Sequence, residues 1–495
     1  MEGQEDSISP ITRQWPWLRY ASLSFYSAWI LLTMGVNTGI ATPPLGAEWL
    51  SKNLLYLSSG IPLIITLVGC AAFHESVRNR IERGVLTPLM GGVASVCTLV
   101  LLACSEYLPL AWYVVLAVGT GVGTAFVCLR VGTLYSTLAG NKIFYTVFFA
   151  AALANLLYFM CVAVSRPLGV VLVSLLPLAA ATTSSLRGDD AGQIDDDDLI
   201  PVNALPKRFF ARCVSVVSLF SLAIGVVVGV SPSSGAIVHL ADVECDGAFA
   251  SFALTLVLMG CMCLVASKRE IDFSAYYYPI TVVACLAALV ASLFGSMWPE
   301  ASLIVVTTSY NMFTLALWCI FANVAHGTAY NPVYVFGWGR GGSAFGSTLG
   351  RAAAVLISLY IPTSQPIQEI IGAVLVIGAI VALLFVLNES TLNEALRKTE
   401  QVNEPDDSSC QRSNKLPSWK DACAGVGRHF GLTNRETEVL ELLSRGRTTS
   451  YIADSLDIAY NTAKGHVRNL YAKCDVHSRE EVIDLVERER QRQSN

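Results

Sequence analysis

Charge is scarce in this sequence. Asp, Glu, Lys and Arg make up 14% of its 495 residues, against roughly a quarter in soluble proteins, while 53% are hydrophobic and the mean hydropathy is +0.53. That shortage excludes a wholly soluble chain and intrinsic disorder. Metal-ligand spacing is missing too. Of the 14 cysteines, Cys261 and Cys263 stand too close for a CxxC pair, and Cys70, Cys97, Cys161 and Cys285 lie in apolar runs, where they read as small apolar residues. Neither a disulfide scaffold nor a metal or other cofactor is expected. Cys410, Cys423 and Cys474 fall in a polar tail and are expected to be reduced. The opening MEGQEDSISP is acidic, and no small-residue cleavage site follows the first apolar run, so no signal peptide is expected. Receiver, kinase and nucleotide-loop patterns are absent, and no enzyme is expected.

What the chain has is apolar length. Runs of about 20 residues, enough to cross roughly 30 Å of hydrocarbon, lie at 20–41, 53–73, 85–104, 108–129, 143–164, 167–186, 209–230, 249–267, 275–297, 301–323, 343–362 and 368–388. They do not alternate as barrel strands do, so they predict about twelve helices. With a cytoplasmic N-terminus, fifteen cations fall on the cytoplasmic side, among them Arg78, Arg80, Arg83, Lys207, Arg208, Arg340 and Arg351. Only Lys52 and Arg166 fall outside. This bias orients the bundle, and an even helix count returns residue 389 to the cytoplasm. Trp15, Trp17, Tyr276, Tyr277, Tyr278 and Trp298 sit near the expected interfaces.

The loop from Arg187 to Arg208 divides the helices six and six, and the layout resembles that of the major facilitator superfamily. Its run Asp195–Asp198 reads as a solvated spacer. No Asp or Glu lies deep in a span, which leaves no visible carboxylate relay for protons or sodium. Arg351 admits two readings, a charge that binds an anionic ligand or one that snorkels to the cytoplasmic interface. Beside it, Gly342, Gly346 and Gly350 make a flat face for close helix contact. Asp242, Glu244, Asp246 and His239 belong to an external loop, either an ordinary wet loop or a ligand site.

Seventeen of the 33 Lys and Arg residues lie in 1–388 and sixteen in the last 107 residues. The apolar mass and the charge therefore belong to different modules: a membrane domain at 1–388, a polar linker at 389–417 and a small domain at 418–490. In the last, Thr433 and Glu436 form a capping box before a helix carrying Val439, Leu440 and Leu443. A short helix follows at about 449–456, then a turn at Asp457-Ile458-Ala459. A third helix at about 461–474 buries Ala463, Val467, Leu470 and Cys474. Ser478 and Glu481 open a fourth, through about Glu489.

Residues 419–490 hold 11 basic and 12 acidic residues, yet no acid occurs from Ala459 through Cys474. Lys464, Arg468 and Lys473 therefore concentrate positive charge on one helix, as an element entering a phosphate-lined groove requires. The pattern is that of a helix-turn-helix, with a protein-binding four-helix domain as the alternative. Residues 432–483, including Leu432, Thr433, Arg435, Glu436, Val439, Gly446, Ile452, Leu456, Thr462, Lys464, His466, Tyr471, Lys473 and Arg479, resemble the LuxR-type DNA-binding domain of bacterial transcription regulators. The combination resembles the membrane-bound regulators of that type.

The resemblance implies double-stranded DNA as partner, the third helix in the major groove and the fourth pairing two subunits. Lys464 and Arg468 become base or phosphate contacts, and Thr448, Thr449 and Thr462 phosphate contacts. Asn461, Gly465, His466 and Lys473 complete the face. Gly465 offers no side chain there, and His466 either touches a phosphate or packs inward. Val482, Leu485 and Val486 are the expected homodimer face. The expectation is an all-α protein in a bacterial inner membrane: a polytopic bundle of about twelve helices, then a tetrahelical helix-turn-helix domain, both termini cytoplasmic. The bundle senses an unknown small molecule. A transporter with a fused regulatory domain is the alternative.

Overall fold

The computed structural model of the chain describes residues 14–34, 48–186, 209–230, 245–269, 298–360 and 419–494, with short gaps, and a few isolated positions besides. The described residues are almost entirely helical and contain no β-strand. They fall into two compact units, Met1–Glu404 and Pro405–Asn495.

In the first unit a 3₁₀ turn, Pro16–Ala21, leads into α1 (Ser22–Met34). There follow α2 (Glu48–Ala72), the short α3 (His74–Arg83), α4 (Leu86–Cys104), α5 (Leu110–Tyr135), α6 (Asn141–Ala163) and α7 (Arg166–Ser184). The second half contributes α8 (Phe209–Val230), α9 (Cys245–Arg269), α10 (Pro299–Gly327) and α11 (Pro332–Tyr360). Ten of the twelve expected spans coincide with these helices; 275–297 and 368–388 lie almost wholly outside the described residues. By length and composition, six described helices are long and apolar enough to cross a membrane: those at Asn53–Ala72, Leu86–Cys104, Leu110–Tyr135, Lys142–Ala163, Arg166–Ser184 and Ile304–Gly327.

The helices are apolar around most of their circumference. One side packs into clusters such as Tyr26, Tyr135, Trp318 and Phe336. The other leaves large apolar side chains outside: Ile65 is 67% exposed, and Val96, Val115, Leu156 and Val257 are exposed as well. Such a surface is stable only in an apolar solvent. Many buried hydroxyls are satisfied within their own helices, as when Thr98 and Thr124 each donate to the carbonyl four residues back at 2.7 Å.

The expected glycine face is used for close contact. A methyl group on Gly346 would run into the Ser218 carbonyl oxygen of α8, and one on Gly350 into the Leu222 carbonyl oxygen. The two helix backbones touch there without side chains between them.

One expectation is corrected. Arg340 does not sit in a cytoplasmic loop ahead of a helix at 343–362. The helix begins eleven residues earlier at Pro332, where Asn331 Oδ1 accepts the Val333 amide at 2.9 Å and proline occupies the first turn. Glycines and arginine dilute the hydropathy of these first turns, which hides them in the sequence. Arg340 and Arg351 both lie inside α11. Removing them from the cytoplasmic count leaves thirteen cations against two.

The second unit holds α12 (Trp419–Phe430), α13 (Asn434–Ser444), α14 (Tyr460–Cys474) and α15 (Arg479–Ser494), with Ile452 and Ala453 helical between α13 and α14. Gly431 (φ 65°) ends α12, and the Leu432 amide reaches back to the Gly427 carbonyl at 2.9 Å. Asp475 (φ 54°) ends α14 in the same way, with Val476 donating to Tyr471 at 3.1 Å. Val439, Leu440, Leu443, Ile452, Ala463, Leu470 and Cys474 form the core. The last helix runs to Ser494, beyond the expected end near Glu489.

Gly346→Ala is expected to destabilise the full chain in detergent by about 1–3 kcal/mol, read as a lower melting temperature. Gly69→Ala, where a methyl group meets nothing within 4 Å, is expected to leave it unchanged.

Candidate functional site

Two sites emerge, one in each unit. In the second unit α14 presents a basic outer face. Ala463, Leu470 and Cys474 turn inward and fix the helix's rotation. Thr462, Lys464, Arg468 and Asn469 are left exposed on the other side. Lys464 and Arg468 are one turn apart, and among the described residues neither takes part in an ion pair. Around Gly465 an added methyl group would meet nothing within 4 Å, so the face is open at its centre. His466 is half-buried. The side chain of Asn461 and all of Thr448 and Thr449 lie outside the described residues, as does the turn at 457–459.

Lys473 is placed differently from its neighbours. Its Nζ donates to Glu436 Oε2 at 2.6 Å and to the Gly431 carbonyl at 3.4 Å. Glu436 is buried, with 6% of its side chain exposed, and the same Oε2 accepts the Thr433 amide at 2.8 Å. The Glu436 amide in turn donates to Thr433 Oγ1 at 3.3 Å, completing the capping box expected from the sequence. The Lys473 ammonium and the capping bonds hold the Glu436 carboxyl down, from its ordinary 4.5 to about 2. Sequence reasoning grouped Lys473 with the groove face because its partner lies 37 residues away. A second anchor joins α13 to the short helix: Arg435 donates to the Leu456 carbonyl at 2.7 Å.

The expected dimer face also changes. Val482 and Val486 are both fully buried in the domain core, and Leu485 packs partly against it. The outer surface of α15 is polar instead, with Glu481, Asp484, Glu487 and Arg488 exposed.

In the first unit, a cavity of about 120 Å³ lies between the two halves of the bundle. α1, α2 and α5 line it from one half, and α8, α10 and α11 from the other. Arg340, Ser343, Ser347 and Arg351 give α11 a polar stripe facing it. Arg351 is 7% exposed and lies over the Tyr56 ring at 4.1 Å; its guanidinium donates to Asn53 Oδ1 at 3.4 Å and to the Met34 carbonyl at 3.3 Å. Arg351 is therefore held inside the bundle, and the snorkelling reading falls. Arg340 lies over the Trp318 ring at 5.1 Å, beside Tyr26 and Cys128. Sequence reasoning missed it by placing it in a loop.

Comparison with known proteins identifies the C-terminal segment and shows a fold likeness for the N-terminal unit. Residues 431–486 match the family described as "Bacterial regulatory proteins, luxR family", so this segment is a luxR-type helix-turn-helix domain. The chain is 32% identical over 150 residues to the HTH-type transcriptional regulator MalT of Vibrio parahaemolyticus, covering 28% of this chain and 16% of that protein. It is 44% identical over 57 residues to MalT of Yersinia pestis, covering 12% of this chain and 6% of the relative. The chain thus spans only a small part of these relatives' length. The solved human organic anion transporter MFSD10 has a similar fold (TM-score 0.52, 13% identity), covering 76% of this chain and all of that one. The N-terminal unit accordingly has a transporter-like membrane fold, and the helix-turn-helix implies DNA binding.

Because its pKa is depressed in the folded state, Glu436 contributes stability that is present above about pH 4.5 and lost as pH falls toward 2. Lys473→Met is expected to cost a fragment of residues 405–495 about 1–3 kcal/mol at neutral pH and to flatten that acid dependence, measured by urea denaturation across the range. A full loss of DNA affinity in the still-folded variant would instead put Lys473 on the groove face. Gly465→Ala is expected to stabilise the same fragment by about 0.5–1 kcal/mol. Weaker DNA binding by that variant would mean that the helix approaches the nucleic acid closely at this point.

Proposed function

We propose that the chain is a membrane-bound one-component transcription regulator. Its bundle senses a small molecule and controls sequence-specific DNA binding by the C-terminal domain. The observation that carries this reading is the joining, in one chain, of a cavity-bearing bundle with a luxR-type domain whose basic face is open. Residues 1–388 serve as sensor, 389–417 as linker and 418–490 as DNA reader. The bundle sits in the inner membrane of a bacterium with both termini cytoplasmic, a reading supported by the distribution of Lys and Arg.

On DNA, Lys464 and Arg468 contact phosphates or base edges, with Thr448, Thr449, Asn461, Thr462 and His466 around them. Two copies bind a two-fold site through α15, using its polar outer surface rather than Val482 and Val486. A ligand controls this only through a difference in affinity between two states of the bundle, so its site belongs where the halves meet. The cavity lies there.

A second reading is a transporter with a fused regulatory domain, favoured by the fold likeness to a protein described as an organic anion transporter. Solute uptake by reconstituted protein lacking residues 405–495 separates the two, because a sensor moves no solute.

Binding of genomic double-stranded DNA fragments to the full chain in nanodiscs tests the DNA face. Lys464→Ala and Arg468→Ala are each expected to weaken binding and to lower its salt dependence by up to about one unit of log–log slope. Unchanged binding by both would remove α14 from the interface.

A further inference from the structure

Among the described residues, the cavity in the bundle is lined by two arginines and no carboxylate. Arg340 and Arg351 stand eleven residues apart on α11, three turns along one face and roughly 16 Å along its axis. No Asp or Glu is among the residues that line the cavity. Arg340 is faced by the Tyr26 hydroxyl, the Cys128 thiol and Tyr310, and Arg351 by Tyr56, Tyr310, Asn53 and the Met34 carbonyl. None of these is a carboxylate. Two positive charges inside a lipid-embedded bundle, without an anionic partner in the lining, are costly.

The two are not equivalent. Arg351 is tied down by Asn53, the Met34 carbonyl and the Tyr56 ring. Arg340 lines the same cavity, is the less buried of the two residues by surface, and has its guanidinium over the Trp318 ring. The walls around them are mostly apolar, with Trp29, Ile30, Leu63 and Leu67 facing the space. Hydroxyls are supplied by Ser343 and by Ser347, whose Oγ accepts from the Tyr56 hydroxyl at 2.7 Å.

We infer that this cavity binds a small organic anion, its carboxylate held by Arg340, its apolar body against Trp29 and the leucines, and Arg351 adding a second positive field. A guanidinium fork matches a carboxylate in two parallel hydrogen bonds. Size limits the ligand. A dry protein cavity of about 150 Å³ takes benzene, so about 120 Å³ suits a single ring or short chain rather than a drug-sized molecule. This inference rests on the sensor reading for its purpose, though the site stands without it.

The test is thermal stability of the full chain in detergent with benzoate and phenylacetate at millimolar concentration, against benzamide and phenylacetamide. The acids are expected to raise the melting temperature and the amides not. Arg340→Gln is expected to weaken binding of the acids about tenfold or more, and Arg340→Lys, which keeps the charge, to weaken it less. Amides that bind as well as acids would overturn the proposal. So would acids that bind Arg340→Gln as they bind the wild type, or no response to either acid. Carboxylate binding that leaves DNA affinity unchanged would keep this site and remove the sensor reading. A DNA response without Arg340-dependent carboxylate binding would do the reverse.

Discussion

The bilayer offers no hydrogen bonds, and the N-terminal unit is organised around that constraint. Each backbone amide in the apolar core must find its partner within its own helix, so the described part of the unit is almost entirely helical. Side chains then divide by solvent: Ile65 and Val115 face lipid, while Tyr135 and Trp318 pack inside. Many of the polar groups inside are answered locally. Thr98 answers itself through the carbonyl of the preceding turn and also accepts the Trp29 indole at 3.2 Å. The two cavity arginines are the charged groups of this kind, with no carboxylate among the described residues that line the cavity around them.

The C-terminal unit obeys the opposite solvent. In water a small domain is marginal, and this one gathers what it can from a compact apolar core, two left-handed helix ends and a capping box extended by an ion pair. The Glu436–Lys473 pair joins the start of α13 to the end of α14. In holding these two helices together it fixes the angle at which Lys464 and Arg468 are offered. Fold stability and the proposed DNA recognition thus share one helix, divided by face and by position along it.

Much of this was legible in the residues. Apolar length disclosed ten described helices, and the Thr433 box and the α14 core stripe appear where their spacing puts them. What escaped was tertiary. The start of α11 was hidden because glycine and arginine lower its hydropathy, and with it went Arg340. Lys473 looked like a groove residue because nothing local shows that Glu436 waits 37 positions upstream. Val482 and Val486 are apolar on an otherwise charged helix, a pattern equally fit for a dimer face or a core. Only the packing against α12 and α13 decides for the core.

The account depends on the helix-turn-helix lying on the side of the membrane that holds the genome. Protease added outside intact cells, compared with protease added to inverted membrane vesicles, tests this directly. The C-terminal domain is predicted to survive in intact cells and to be cleaved in inverted vesicles. Cleavage of that domain from outside intact cells would contradict the account.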